Sequence, residues 1–154
     1  GSTMNGLCEV SKKGGFKNYT FTNSVLRTNA ITDMIYSEKE DLLLISTSTG
    51  LYTLNAKKRL QVVPLEALKT ASINALCIDS RGMRWVCMND EVRIYDKRFN
   101  LLKVFGAQDD MNNVLAITCD HQGQVWLTTS DALFNVRVDR NSNKDNNIFG
   151  KWKH

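Results

Sequence analysis

Polar side chains that can form hydrogen bonds lie in several short segments between apolar runs of this sequence. Amides, carboxylates and basic groups suit hydroxyl-rich ligands, because each can donate to or accept from a hydroxyl group. The candidate ligand-binding residues are Arg27, Lys69, Asn89, Asp90, Asp109, Asp110, Asn112 and Asp131. The alternative for each of them is an ordinary solvated position in a surface loop.

Two tryptophans and two aspartates recur with one spacing. Trp85 and Trp126 are 41 positions apart, and so are Asp79 and Asp120. A tryptophan could stack on the apolar face of a ligand, but recurrence at one position favours packing, with the indole N–H bound to a partner. An aspartate that follows an apolar run typically accepts backbone N–H groups and holds a turn. We therefore predict structural roles for all four residues and no acid–base pair.

The sequence contains no recognisable set of residues for nucleophilic catalysis or for metal binding. His121 lies in a predicted turn, and no nucleophile is evident within its reach. The run Cys119-Asp120-His121 could suggest a metal site, but Cys119 is expected to point into a sheet and His121 into solvent. The sequence therefore predicts no metal, no cofactor and no enzymatic activity for this chain.

The four cysteines are expected to be buried thiols. Apolar runs surround all of them, where a free cysteine behaves as a small hydrophobic residue. None has the C-x-x-C spacing of a metal site. Cys8, Cys77, Cys87 and Cys119 are the residues concerned. The alternative is a disulfide, for which Cys77 and Cys87 are the candidates because they lie on adjacent strands of one predicted hairpin.

The elements that would position these residues repeat along the chain. Gly82 and Gly123 are again 41 positions apart, and Gly50-Leu51 follows Gly6-Leu7 after 44 positions. A period of roughly 40–45 residues made of short strands is typical of β-propeller blades. We therefore predict an all-β fold, a partial β-propeller of about three and a half four-stranded blades with a repeat of 41–44 residues. Gly50, Gly82 and Gly123 are structural positions of this repeat.

The repeat divides the chain into four predicted segments. Residues 1–28 hold the last two strands of a preceding blade, residues 7–10 and 16–21, and blades follow over residues 29–70, 71–111 and 112–154. Propellers usually have about 4–8 blades, so we expect a piece of a longer propeller and not a closed monomer. The candidate residues fall in loops that would gather around the propeller axis.

Composition and charge exclude some functions. Hydrophobic residues make up 42% of the chain, which suits a packed core. The formal net charge of +4 comes from 20 basic and 16 acidic residues, and the basic ones are scattered. A nucleic-acid surface normally shows a concentrated basic stripe, so we expect no direct nucleic-acid binding. No run approaches the ~20 apolar residues of a membrane helix.

Two stretches of the chain resemble the two-component regulator propeller repeat. One begins at Ser72 and continues to Asp79, Gly82 and Trp85. The other begins at Asn113 and continues to Asp120, Gly123 and Trp126. The first full blade departs from the pattern, since Leu44 occupies the tryptophan position.

These repeats typify the extracytoplasmic sensor half of hybrid two-component systems in glycan-degrading bacteria. There, propellers precede an immunoglobulin-like domain, a membrane helix, a histidine kinase, a receiver and a helix-turn-helix output domain. The resemblance implies a periplasmic sensor segment that contributes to recognition of a polysaccharide-derived oligosaccharide, with the kinase elsewhere in the parent protein. Its implied partners are the oligosaccharide, the remaining blades and a second copy of the parent. The alternatives are an interaction and dimerisation platform without its own ligand site, or a propeller lyase or hydrolase.

Overall fold

Short antiparallel strands form nearly all the regular structure of the chain. The computed structural model describes residues 5–111, 113–136 and 149–153, the last five through their backbone alone. These residues form fourteen strands in four sheets, together with two short 3₁₀ helices. The predicted all-β class is therefore confirmed. Within the described residues, no helix is long and apolar enough to cross a membrane.

The first compact unit spans residues 1–73 and contains two sheets. Its strands are β1 (Leu7–Val10), β2 (Phe16–Tyr19), β3 (Ile31–Ser37), β4 (Leu42–Thr47), β5 (Gly50–Asn55) and β6 (Leu60–Val62). Strands β1 and β2 pair as a hairpin, and β3 to β6 form a four-stranded sheet in chain order. Buried side chains from both sheets share one core cluster, including Leu7 and Tyr19 of the hairpin and Ile45 and Tyr52 of the larger sheet.

The second compact unit spans residues 74–154 and contains two four-stranded sheets. Its strands are β7 (Ile73–Ile78), β8 (Arg84–Met88), β9 (Val92–Tyr95), β10 (Leu101–Phe105), β11 (Ala116–Cys119), β12 (Val125–Thr128), β13 (Ala132–Val136) and β14 (Phe149–Lys153). Each set of four pairs in chain order. Both sheets contribute to one core cluster, in which Trp85 and Phe105 of one sheet meet Leu127 and Phe134 of the other.

Strand β2 ends earlier than the sequence predicts. The apolar and β-branched residues up to Phe21 favour continuation, but the strand stops at Tyr19. Asn23 ends it, because its side-chain oxygen accepts the backbone N–H of Thr20 at 2.8 Å while its own backbone N–H donates to the Thr20 carbonyl at 3.3 Å. A local turn closed by an asparagine side chain thus overrides the strand pattern.

Candidate ligand-binding loops

The chain order of the strands determines which loops share an end of each sheet. Because every sheet strand is antiparallel to its neighbours, alternate loops lie at opposite ends. In the first unit the loop between β4 and β5 therefore lies at the same end as the segments before β3 and after β6. The backbone N–H of Ser48 donates to the Ala30 carbonyl at 3.2 Å, and Nη1 of Arg27 donates to the Lys69 carbonyl at 3.2 Å. The fold thus brings Arg27 and Lys69 together.

Two residues fix these loops of the first unit in place. The hydroxyl of the fully buried Tyr52 accepts the backbone N–H of Arg27 at 3.1 Å. Gly50 has a φ of +130°, and a Cβ there would lie 3.1 Å from the Leu68 carbonyl oxygen and 3.2 Å from that of Lys69. Gly50 therefore permits a backbone conformation that side chains disfavour and a close approach of two backbone segments. The repeat pattern identifies Gly50, but no sequence signal identifies Tyr52.

Replacement of Gly50 by alanine is expected to lower the free energy of unfolding of the first unit by about 1–3 kcal/mol. The new side chain is strained at positive φ and crowds two backbone oxygens. Urea denaturation followed by circular dichroism measures the loss. Gly14→Ala is the control, because Gly14 also has positive φ but a Cβ added there would have no atom within 4 Å. Equal losses in the two variants would show that the close approach at Gly50 contributes nothing.

The loop between β8 and β9 carries two candidate residues of the second unit. The backbone N–H of Asn113 donates to the Asn89 carbonyl at 2.5 Å. The Asn74 side-chain amide donates to Oδ1 of Asn89 at 3.1 Å and to the Val114 carbonyl at 3.2 Å. These bonds join the loop to the segment that leads into β11. Asp90 is exposed beside them, and its carboxylate has no hydrogen bond to any described residue.

Several other candidate side chains already stabilise their own loops. Oδ2 of Asp109 accepts the backbone N–H of Gly106 at 3.1 Å, and Oδ1 of Asp131 accepts the hydroxyl of Thr129 at 3.0 Å. Nζ of Lys69 pairs with Glu66 at 2.6 Å, and this hydrogen bond lowers the pKa of Glu66.

Of the last two candidate residues, the structure describes Asp110 but not Asn112. Asp110 is exposed and follows the second 3₁₀ helix (Ala107–Asp109) with a φ of 59°. Asn112 lies outside the described residues. The loops at the end of the second unit that carries Asn89 hold the acidic residues Asp90, Asp109, Asp110 and Asp131. The corresponding end of the first unit carries Arg27 and Lys69, together with the acidic partner of Lys69, Glu66.

The recurring aspartate and tryptophan bind each other in both repeats. Nε1 of Trp85 donates to Oδ2 of Asp79 at 3.1 Å, and Nε1 of Trp126 donates to Oδ2 of Asp120 at 2.9 Å. The other oxygen of each aspartate accepts two backbone N–H groups of its own turn. Sequence reasoning predicted the turn and the packing separately but missed the bond between them. The signal was the constant separation of six positions in both repeats.

Asp120 makes the stability of this turn depend on pH. The Trp126 indole, and then the backbone N–H groups of Gln124 and Gln122, lower the pKa of Asp120 from its ordinary value of 3.8. A carboxyl whose pKa is lower in the folded state stabilises the fold fully above 3.8, and this contribution disappears as the pH falls through the folded-state pKa. We expect Asp120→Asn to be less stable than the parent chain at neutral pH, with a difference that shrinks below pH 3.8. Urea midpoints across this range measure it, and a difference that stays constant into acid would contradict the assignment.

The groups considered for other chemistry do not assemble. His121 is exposed in the turn after β11. No three histidine, cysteine or acidic side chains of the described residues come close enough to hold a metal ion. All four cysteines are free thiols, so the alternative disulfide between Cys77 and Cys87 is not formed. Cys77 and Cys87 are buried, whereas Cys8 and Cys119 are only partly buried.

A cavity of about 300 Å³ lies at the opposite end of the first unit from Arg27 and Lys69. Its walls are mainly apolar and include Leu7, Met34 and Leu54. None of the eight candidate residues lines it. Such walls offer few of the hydrogen-bonding groups that a hydroxyl-rich ligand needs, so the cavity is separate from the candidate loops.

Comparison with known protein families identifies the repeat. Residues 110–131 match the model of the two component regulator propeller family. The matched stretch contains Asp120, Gly123 and Trp126, and the resemblance predicted from the sequence is confirmed. The match covers this stretch of the chain alone. Comparison with curated protein sequences finds no significant match.

Solved structures share the fold at low sequence identity. The extracellular domain of a protein described as a putative hybrid two component system from B. thetaiotaomicron matches 97% of this chain with a TM-score of 0.77 and 18% identity. A second such domain from the same organism matches 98% with a TM-score of 0.73 and 16% identity. A catalytically inactive virginiamycin B lyase from Staphylococcus aureus, solved with quinupristin, matches 97% with a TM-score of 0.73 and 12% identity.

These matches define the fold class. The chain spans 20% of the length of each two-component structure and 49% of the lyase. The predicted partial β-propeller is therefore confirmed, while identities this low show the fold alone. The blade boundaries predicted from the repeat stay predictions.

Proposed function

We propose that this chain is part of the periplasmic sensor region of a hybrid two-component regulator and contributes to recognition of a polysaccharide-derived oligosaccharide. The match of residues 110–131 to the regulator propeller repeat carries this proposal. The fold shared with two extracellular domains of two-component systems supports it. In this account the chain has no enzymatic activity of its own, and a histidine kinase elsewhere in the parent protein produces the signal.

The candidate loops supply the chemistry for such a ligand. Arg27 and Asp90 are exposed and present charged groups on loops that are held by backbone hydrogen bonds. A preformed loop loses less conformational freedom when a ligand binds, which favours affinity. Charged donors and acceptors make the stronger hydrogen bonds to hydroxyl groups. Asp90 is the residue on which we base the test, because its carboxylate has no hydrogen bond to a described residue.

The signal in this account is a shift between two arrangements of the sensor region. An oligosaccharide that binds one arrangement more tightly shifts the population toward that arrangement. The free energy of this shift cannot exceed the difference between the binding free energies of the oligosaccharide for the two arrangements. Rearrangement of the propellers and of the dimer partners would then pass through the membrane to the kinase. The ligand and the remaining blades are thus the partners that the proposal requires.

Replacement of Asp90 by alanine is expected to weaken binding of the cognate oligosaccharide by about 10–100-fold, since a hydrogen bond to a charged group is worth about 1.5–3 kcal/mol. The measurement is calorimetry of the intact sensor region against a broad panel of oligosaccharides. Glu38→Ala is the matched control. It also removes one exposed negative charge, but at the turn between β3 and β4, the opposite end of its sheet from the candidate loops. If no member of the panel binds the intact sensor region, the proposed function is wrong.

The hydrogen bonds of Asp109 and Asp131 within their own loops favour a second candidate function. Side chains that form hydrogen bonds within their own loops fix the conformation of those loops. A fixed loop surface is what an interaction and dimerisation platform requires. Alanine variants at the candidate loops separate the two functions in the intact sensor region. Weaker oligosaccharide binding supports recognition, whereas unchanged affinity with lost dimerisation supports the platform.

A further inference from the structure

The cavity of the first unit lies where the β1–β2 hairpin meets the four-stranded sheet. Leu7 of the hairpin and Leu54 of the sheet are buried in its walls, at 4% and 8% exposure. The partly buried Met34 and Leu43 line it beside them and belong to the same core cluster. The interior of the cavity is therefore formed by apolar side chains from two elements that pack against each other.

Four polar residues form the solvent-exposed rim of this cavity: Glu9, Tyr36, Asp41 and Lys58. Nζ of Lys58 pairs with Oε1 of Glu9 at 2.5 Å, which joins the turn after β5 to the hairpin. The Tyr36 hydroxyl donates to Oδ1 of Asp41 at 2.5 Å, which joins β3 to the turn before β4. Because each charged group of the rim already has a partner there, a neutral ligand can enter without separating a charge from its partner.

The two turn residues of the rim have a backbone conformation that favours glycine. Asp41 has a φ of 48° and Lys58 a φ of 58°. Glycine adopts this left-handed region with the least strain. At both positions the chain instead carries a side chain that bonds to another rim residue. The strained positions thus place the polar groups of the rim.

The next repeat fills the equivalent space with larger side chains. Leu43 and Leu54 are cross-strand partners, and Arg84 and Tyr95 form the same pair 41 positions later. The Arg84 guanidinium lies 4.1 Å from the centre of the Phe99 ring, and the Tyr95 ring centre lies 6.3 Å from it. Arg84 and Tyr95 are each 2% exposed. The blade therefore accommodates large side chains at these positions, and the cavity arises from the smaller residues of the first unit.

We propose that this cavity binds a compact, neutral aromatic molecule of two fused rings that carries one hydroxyl group. Its volume of about 300 Å³ is twice the roughly 150 Å³ of an apolar cavity that holds benzene. The walls bind the rings by removing them from water. Asn55 also lines the cavity, and its side-chain oxygen accepts the backbone N–H of Arg59 at 3.0 Å. The amide N–H groups of Asn55 have no hydrogen bond to a described residue, so they can donate to the hydroxyl oxygen.

This inference does not rest on the proposed function, because none of the eight candidate loop residues lines the cavity. Failure of every oligosaccharide to bind the sensor region would leave the apolar site untouched. Failure of the aromatic probe described below would equally leave oligosaccharide recognition untouched. The two proposals can therefore be overturned separately.

Nuclear magnetic resonance of the chain with ¹³C-labelled methionine methyl groups tests the site, with 2-naphthol as the probe. The chain has five methionines, Met4, Met34, Met83, Met88 and Met111. We expect the Met34 resonance, assigned with Met34→Leu, to shift as 2-naphthol is added, because an aromatic ring bound in the cavity lies beside that methyl group. The three methionines of the second unit should stay unchanged. No shift of Met34, or equal shifts of methionines in both units, would overturn the proposal.

A variant that fills the cavity provides the second measurement. Leu54→Tyr introduces the residue that the next repeat has at this position, and it should weaken 2-naphthol binding by at least about 10-fold in calorimetry, because tyrosine occupies space that the probe needs. Leu101→Tyr is the matched control, since Leu101 is 49% exposed in the other unit, and it should bind like the parent chain. Circular dichroism checks that both variants fold. Parental affinity in a folded Leu54→Tyr would overturn the proposal, and if that variant does not fold, the Met34 shift decides.

Discussion

Replacement of Trp85 by alanine is expected to lower the free energy of unfolding of the second unit by about 3–5 kcal/mol. The Trp85 side chain has no exposed surface and lies in the core cluster shared by both sheets of this unit. Its ring stacks near that of Phe105, with 6.3 Å between the centroids. Alanine would leave a cavity there and would also remove the indole N–H that Asp79 binds.

Urea denaturation followed by circular dichroism measures this loss, with two comparison variants. Trp85→Phe keeps most of the buried ring but removes the N–H, so it separates packing from the hydrogen bond. Trp126→Ala removes the equivalent residue of the next repeat, which is only partly buried, and we expect a smaller loss. If Trp126→Ala destabilised the chain more than Trp85→Ala, packing in the core would not explain the recurrence of tryptophan.

Replacement of Asp79 by alanine is expected to have the second large effect, a loss of about 3–5 kcal/mol, as when one partner of a buried ion pair is removed. Asp79 is 4% exposed. Its carboxylate accepts the Trp85 indole N–H and the backbone N–H groups of Arg81 and Met83, and it pairs with the Arg81 guanidinium at 3.0 Å. Alanine would leave these donors unsatisfied and the guanidinium unpaired.

The same denaturation experiment measures the Asp79 variant beside two others. Asp79→Asn keeps an acceptor oxygen but loses the charge, and its expected loss lies between those of the parent chain and Asp79→Ala. Asp120→Ala removes the equivalent carboxylate, which is more exposed, and should cost less. If the urea midpoint of Asp79→Ala equalled that of the parent chain, the Asp79 carboxylate would not be needed to stabilise the turn or the Trp85 indole.

The repeat made the fold predictable, because each blade encodes its own strands and turns locally. The glycines and aspartates of the turns, and the tryptophans of the second strands, carry that signal in the sequence. Contacts between distant residues carry no such signal. The hydrogen bond from the Arg27 backbone N–H to the Tyr52 hydroxyl depends on how separate strands pack, so it could not be predicted from the repeat.

The candidate loops show the same limit. Their positions between strands follow from the repeat, so the sequence could place Asn89 and Asp131 on turns. The sequence could not show which of these side chains form hydrogen bonds within their own loops. Asp131 binds Thr129 of its own turn, whereas the Asp90 carboxylate has no hydrogen bond to a described residue. That difference comes from individual side-chain geometry, which loop composition does not determine.

The sequence of the parent gene on both sides of this segment tests the proposed sensor most directly. We expect the repeats to continue into further propeller blades, followed by a membrane helix and a histidine kinase. A reading frame that closes after one propeller, without a membrane helix, would contradict the account. A soluble binding protein or a propeller enzyme would then be the better explanation of the fold.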